Sequence, residues 1–469
     1  MVFSEIFFLY IFLPLCLASY FLIPHKQVKN IILIFFSLVF YAWGEPVWVI
    51  LLIISSIIDY CCGRFIGRNH DKPIAKLGVV ISLVANLGIL ATFKYSGFFI
   101  ENLNALTGLS LKVPEFRLPI GISFYTFQTI SYTIDVYRKQ VDVQKSFLKF
   151  LMYVSLFPQL VAGPIVRYSV IEDEINNRKS TVSGVSRGLS RFIIGLGKKV
   201  IIANTMGWLV SQTIEFSIPS SLSAWAGIIM FSFQIYFDFS GYSDMAIGLG
   251  EIFGFHFQEN FNYPYVSKSV SEFWRRWHIS LGSFFRDYLY IPLGGNRRNT
   301  IRNLIIVWFL TGLWHGASWN FVIWGMYFGV FIIVEKLFFG KLLSKIPQVF
   351  SHIYLLLIVV FGWVAFYFTD LKRLWDCLKA MLFISDVPLY DEITSSELMS
   401  RVFVIIAATV ISTGIIKKLW AYIITKAEDS TRLYGLASAF RTVGLATILI
   451  ISSILLVGDS YNPFLYFRF

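Results

Sequence analysis

Apolar runs long enough to cross a membrane recur along almost the whole chain. They lie at about residues 6–23, 30–43, 47–60, 77–95, 118–137, 150–166, 189–213, 224–254, 303–318, 320–335, 353–368 and 442–457. Within a bilayer no water satisfies backbone N–H and C=O groups, so only helices or closed barrels span it. Runs near ~20 residues have the length of a helix, whereas a membrane strand needs ~10. The expected fold is all-α: a polytopic integral membrane protein of about 11–12 transmembrane helices, with re-entrant and interfacial helices between them.

The 469 residues are 56% hydrophobic and 14% charged, against ~25% charged in a soluble domain. That balance excludes a soluble enzyme, a disordered chain and a coiled coil. The 47 Phe, 24 Tyr and 13 Trp supply apolar bulk and rings suited to the membrane–water interfaces. No apolar-poor block is long enough for a soluble domain, and no internal repeat is visible. One membrane-embedded domain over 1–469 is expected, with an aromatic tail at 458–469.

The net charge is +12, and it sits in short loops between apolar runs. That distribution fits the positive-inside rule and excludes a nucleic-acid partner. Segment 61–76 (Arg64, Arg68, Lys72 and Lys76 against Asp71) and segment 262–302 carry net charges of +3 and +5. Both are expected on the cytoplasmic side, with 417–441. The acidic loop 369–400 and residues 458–469 are expected outside, with the N-terminus. Loop 167–188 mixes signs and leaves the topology of 150–260 open. Met1–Glu5 lacks the positive start of a secretory signal, so the first run is expected to be retained. The four cysteines have no metal-ligand spacing, and neither a disulfide nor a metal site is expected.

Ionisable groups at membrane depth are costly and therefore functional candidates. His315 sits in Thr311-Gly312-Leu313-Trp314-His315-Gly316-Ala317-Ser318-Trp319-Asn320, between two apolar runs. An imidazole there can take a proton from a hydroxyl near neutral pH. Gly312 and Gly316 leave room beside it for a substrate or another backbone. The alternative is a packing histidine bonded to a carbonyl. His278 lies in Phe273-Trp274-Arg275-Arg276-Trp277-His278-Ile279-Ser280, where aromatic and basic residues alternate at helical spacing. The spacing predicts an amphipathic helix in the cytoplasmic interface, anchored by Trp274 and Trp277, with Arg275 and Arg276 toward lipid phosphates. His278 is either a second active-site group or part of an anion path. Asp238 and Asp244 need partners inside an apolar run; they orient a histidine, pair with an arginine, or form a packing salt bridge. Tyr466, in the aromatic end Phe464-Leu465-Tyr466-Phe467-Arg468-Phe469, is either an interface anchor or a functional phenol. No Walker A loop, GxGxxG, HExxH or GxSxG motif is present.

Taken in order, these pieces resemble the membrane-bound O-acyltransferase superfamily. They include Leu118-Pro119-Ile120-Gly121-Ile122-Ser123-Phe124, Phe157-Pro158-Gln159-Leu160-Val161-Ala162-Gly163-Pro164, Asp238-Phe239-Ser240-Gly241-Tyr242-Ser243-Asp244 and Phe273 to Ser280. Arg286-Asp287-Tyr288-Leu289-Tyr290-Ile291-Pro292-Leu293-Gly294-Gly295, Trp314-His315-Gly316 and the aromatic end complete the set. The resemblance covers nearly the whole chain. It points to the branch of bacterial membrane subunits that O-acetylate alginate or peptidoglycan, with the D-alanyl transferase of teichoic acid more distant.

The resemblance implies that His315 is the signature catalytic histidine and His278 the second polar position. It implies helices around a central pore with a funnel on each face. No bound cofactor and no metal is implied; the donor substrate is an acyl thioester, expected to be acetyl-CoA. Arg275, Arg276 and Arg286, with Arg297 and Arg298, would attract its phosphates. Asp238, Asp244 and Asn320 complete the candidate substrate-binding set. The implied partner is an extracytoplasmic esterase-like (SGNH) acetyltransferase, and the implied location is the bacterial cytoplasmic (inner) membrane, surrounded by lipid. Twelve extended residues reach roughly 40 Å, so the tail can fold back toward His315, and Tyr466 is expected to relay the acetyl group outward as a covalent ester. A transporter of acyl groups or lipid-linked sugars and a non-catalytic scaffold are the competing classes.

Overall fold

The computed structural model describes residues 1–161, 163–427, 430–458 and 465, and among them every regular element is helical. The helices used below are α1 (Phe8–Leu22), α2 (Lys26–Gly44), α3 (Val49–Arg68), α4 (Ala75–Thr107), α5 (Ile122–Tyr137), α6 (Val182–Glu215) and α7 (Ser221–Phe253). They continue with α8 (Val270–Arg276), α9 (Ile279–Phe285), α10 (Thr300–His315), α11 (Trp319–Leu343), α12 (Gln348–Tyr367) and α13 (Thr431–Gly458).

Among the described residues eight helices are long and apolar enough to cross a membrane, and nine if the pair Glu392–Ser400 and Val402–Ser412, bent by 66°, is one span. This is a multi-pass membrane protein. The remaining apolar runs fold as shorter helices. The run near 150–166 becomes Phe147–Ser155 and Phe157–Leu160, because Leu156 leaves the helical region (ψ 109°) just before Pro158. α5 begins after Gly121, whose φ of +77° is cheap only for glycine. Its Gln128, Thr129, Ser131, Thr133 and Asp135 are all buried in protein, which removes the cost of setting them against lipid.

The chain forms two compact units, residues 1–192 with 243–258, and residues 193–242 with 259–469. In the first, rings of Phe3, Phe8, Phe40 and Phe157 meet with centroids 5.0–6.4 Å apart. A polar network ties α3 to α4: Asn86 donates to Asp59 at 2.7 Å and Ser55 donates to Asn86 at 2.6 Å.

In the second unit α10 and α11 form a tight hairpin. A Cβ on Gly312 would lie 2.4 Å from the Phe321 carbonyl oxygen, and one on Gly325 would lie 2.4 Å from that of Trp308. Lipid gives helices no hydrophobic reason to associate, so such close backbone contact supplies the attraction through van der Waals packing. Trp274 lies against Trp308, Trp324 and Phe328, with ring centroids 4.9–5.4 Å apart. Trp277 lies 5.0 Å from Trp363 and 5.1 Å from Phe261.

The single amphipathic helix expected through Trp274–His278 is not formed. α8 ends at Arg276, Trp277 is extended, and His278 takes φ +45° before α9 begins. Trp274 and Trp277 pack into protein rather than anchoring in the interface. Alternating aromatic and basic residues fit a helix face on paper, but the two indoles find ring partners on α10, α11 and α12, in Trp308, Trp324, Phe328 and Trp363. α8 is capped at its start by Ser269, whose Oγ accepts from the Glu272 N–H (3.0 Å), while Glu272 Oε2 accepts from the N–H of Lys268, one residue before the cap (3.0 Å). The buried Glu335 of α11 accepts from the N–H groups of Val270 and Ser271 at 2.6 and 2.9 Å.

Candidate active site

His315 is the last residue of α10. The helix stops there because Gly316 is extended (φ −170°, ψ 152°). The imidazole is 4% exposed, and aromatic rings surround it: Trp324 at 4.8 Å, Trp314 at 5.0 Å and Phe366 at 5.3 Å between centroids. The room left by the two flanking glycines is taken by protein. Gly312 admits the Phe321 backbone, and a Cβ on Gly316 would lie 2.3 Å from the Phe321 ring. The glycines therefore seat α11, and the reading that they open space for substrate is not the one realised.

His278 is 2% exposed and lies between α8 and α9, outside the spanning helices. Its Nδ1 is 3.1 Å from Asn260 Oδ1. The same Oδ1 accepts the Ser280 backbone N–H at 3.2 Å and the Ser280 hydroxyl at 2.9 Å. A backbone N–H can only donate, so this atom of Asn260 is the oxygen, and His278 Nδ1 must carry the proton toward it. Nε2 is then the basic nitrogen. Burial pushes the imidazole down to about 3, so it is neutral across the physiological range.

The two histidines share one neighbour. The Trp314 ring is 5.8 Å from that of His278 and 5.0 Å from that of His315. Phe239 closes the other side of His278 at 4.6 Å. Both imidazoles are thus packed against the same indole, within one cluster of aromatic rings.

The remaining candidates separate. Asn320 is fully buried and donates to the Ala365 carbonyl at 3.1 Å, tying α11 to α12 beside Phe366. Asp238 forms a buried ion pair with Lys199, 2.7 Å apart, and neither side chain is more than 2% exposed. Lys199 also donates to Asn204 at 3.0 Å, and the Leu465 backbone N–H donates to Asp238 Oδ2 at 2.8 Å. Asp244 belongs to the first unit and pairs with Arg191 at 2.8 Å. Of the three arginines, Arg276 is held by Glu272 at 2.8 Å and Arg286 by Asp287 at 2.7 Å, while Arg275 is exposed. Tyr466 lies outside the described residues.

Sequence reasoning missed two members of this constellation. Asn260 sits in an unremarkable loop, Glu259-Asn260-Phe261-Asn262, with no motif around it. Lys199 lies in Lys198-Lys199 and reads as an ordinary basic pair. Its signal was available as a lysine inside an apolar run that also needed to neutralise a buried aspartate elsewhere.

The model of the membrane-bound O-acyltransferase family matches residues 118–375, a span that contains both histidines. A protein named "Probable alginate O-acetylase AlgI" from Azotobacter vinelandii is 38% identical, with both chains fully covered. One of the same name from Pseudomonas aeruginosa is 41% identical over 81% of this chain and 75% of its own. A "Peptidoglycan O-acetyltransferase" from Helicobacter pylori is 32% identical over all of this chain and 98% of its own. A family match over more than half the chain, with relatives of this identity along its whole length, makes the protein a member of the membrane-bound O-acyltransferase family.

Proposed function

We propose that this acyltransferase moves an acetyl group from a cytoplasmic thioester donor, acetyl-CoA, across the bacterial inner membrane for O-acetylation of a cell-envelope or secreted polysaccharide such as alginate or peptidoglycan. The observation that carries the reading is the pair of buried histidines on Trp314, inside the span shared with the family. The names of the full-length relatives supply the acetyl group and the polysaccharide class.

The chemistry is acyl transfer with general-base help. His315 takes the proton of an attacking hydroxyl, whose oxygen forms a bond to the thioester carbonyl carbon. The C–S bond breaks, and the thiolate leaves with a proton returned by the imidazolium. His278, with a basic Nε2, assists or positions. The attacking hydroxyl is the phenol of Tyr466: its pKa near ~10 makes it a poor nucleophile until a base acts on it. The aryl ester so formed is a good acyl donor to a serine of an extracytoplasmic esterase-like partner. Arg275, with Arg276 and Arg286, attracts the phosphates of the donor.

His315→Ala tests the reading. The variant should insert and accumulate normally while polysaccharide acetylation falls by ~10²–10⁴-fold, the usual worth of a general base. Normal acetylation by a well-expressed His315→Ala protein overturns the catalytic assignment and leaves transport or scaffolding. Supplying labelled acetyl-CoA and labelled D-alanyl carrier in parallel identifies the donor. Tyr466→Phe, which keeps the ring and removes the oxygen, tests the relay: acetylation at the wild-type rate rules it out.

A further inference from the structure

The ion pair of Asp238 and Lys199 is larger than helix packing requires. Two charges, both 2% exposed, lie within long apolar helices, in α7 and in a π-helical turn of α6 at Lys198–Ala203. Such a pair is expensive to bury, and well-packed apolar residues usually replace it without loss. Here each carboxylate oxygen has a separate task. Oδ1 meets Lys199, whose Nζ is also held by Asn204, so the carboxylate is fixed before anything else binds it. Oδ2 accepts the backbone N–H of Leu465, 2.8 Å away and 227 residues on in the chain. The Leu465 side chain is 5% exposed and is part of the same hydrophobic cluster as Phe237, Trp277 and Trp363.

We infer that Asp238 and Lys199 form a latch that holds the chain at Leu465 in the second unit through the main-chain N–H of that residue. They are positioning residues. A charge-assisted bond to a backbone N–H recognises a place in the chain rather than a side chain, so the latch sets the register of the chain at Leu465. The neighbouring Leu465 side chain supplies the apolar half of the grip. Lys199, itself held by Asn204, keeps the carboxylate correctly turned. The latch does not depend on the relay proposed above. Its consequence for turnover does, because Tyr466 follows Leu465 in the chain.

The latch is read without any turnover, by hydrogen exchange of the full-length protein in detergent. In the wild type the Leu465 amide should be protected at least about 100-fold over its free-peptide rate; exchange at the free-peptide rate overturns the inference. Lys199→Met with Asp238→Leu removes both charges together and keeps the volume. It should raise exchange at Leu465 more than 10-fold while peptides of α10 and α11 exchange as before. Unchanged protection at Leu465 overturns the latch. Leu465→Pro approaches it from the other side, since it removes the donor N–H together with the leucine side chain, both halves of the grip, and leaves the ion pair intact. It should release the C-terminal peptide to carboxypeptidase Y with the thermal midpoint unchanged, and wild-type resistance to the protease overturns the latch even if the double variant fails to fold. Failure of the relay alone appears differently: Tyr466→Phe would turn over normally with Leu465 still protected.

Discussion

Oδ1 of Asn260 lies 3.1 Å from Nδ1 of His278, and the Ser280 N–H on the same oxygen decides which nitrogen of the histidine is basic. The imidazole is oriented by Asn260 in the loop before α8, together with Ser280 two residues on in the chain. His278 itself adopts φ +45°, a region costly for a non-glycine residue, and this three-way contact holds it there.

Asn260→Ala should therefore act on His278 at a distance. It strands the Ser280 N–H, at about 1–3 kcal/mol, and frees the ring to choose the wrong tautomer. If His278 assists the chemistry, kcat should fall by about 10–100-fold with the donor KM nearly unchanged, part of the ~10²–10⁴ available to acid–base help. Steady-state kinetics with saturating donor checks this, and a KM effect alone removes His278 from the chemical step.

Acid should destabilise the protein partly through His278. Folded, the imidazole stays neutral down to about pH 3, whereas its ordinary pKa is 6.5. Between those values the unfolded chain binds the extra proton, so this group's contribution is intact above pH 6.5 and is lost as pH falls below it. Thermal unfolding at pH 7 and pH 4.5 should show a smaller drop for His278→Gln than for the wild type. Equal drops would mean that other groups carry the whole acid sensitivity.

Gly312→Val should damage both stability and activity. Its Cβ would lie 2.4 Å from the Phe321 carbonyl oxygen, so α10 and α11 must separate. Overpacking of this kind costs about 1–3 kcal/mol, and it moves His315 away from Trp324. The thermal midpoint and kcat should fall together; an unchanged midpoint would show that the hairpin absorbs the methyl groups.

The arginines should not be equivalent. Arg276 and Arg286 are engaged by Glu272 and Asp287, while Arg275 is exposed. Arg275→Gln should raise the donor KM about 10-fold, the loss of one charge-assisted contact of ~1.4 kcal/mol. Arg276→Gln and Arg286→Gln should each change it less than about 3-fold. A larger effect at Arg286 than at Arg275 would relocate the donor path.

Hydropathy alone determined that this chain lies in a membrane, is helical and must find partners for Asp238, Asp244, His278 and His315. That much is a property of the chain and its solvent, since burying a charge or an imidazole has a cost wherever the helix lies. The partners are a property of tertiary contact. Asp238 chose Lys199 and the Leu465 main chain, Asp244 chose Arg191, and His278 chose Asn260, because helix rotation and register, which composition does not encode, decide which polar groups face each other. The same reason explains the failed amphipathic helix. Alternation of Trp274, Arg275, Arg276 and Trp277 is compatible with a lipid interface or with a protein core, and only the facing surfaces of α10, α11 and α12 select the second.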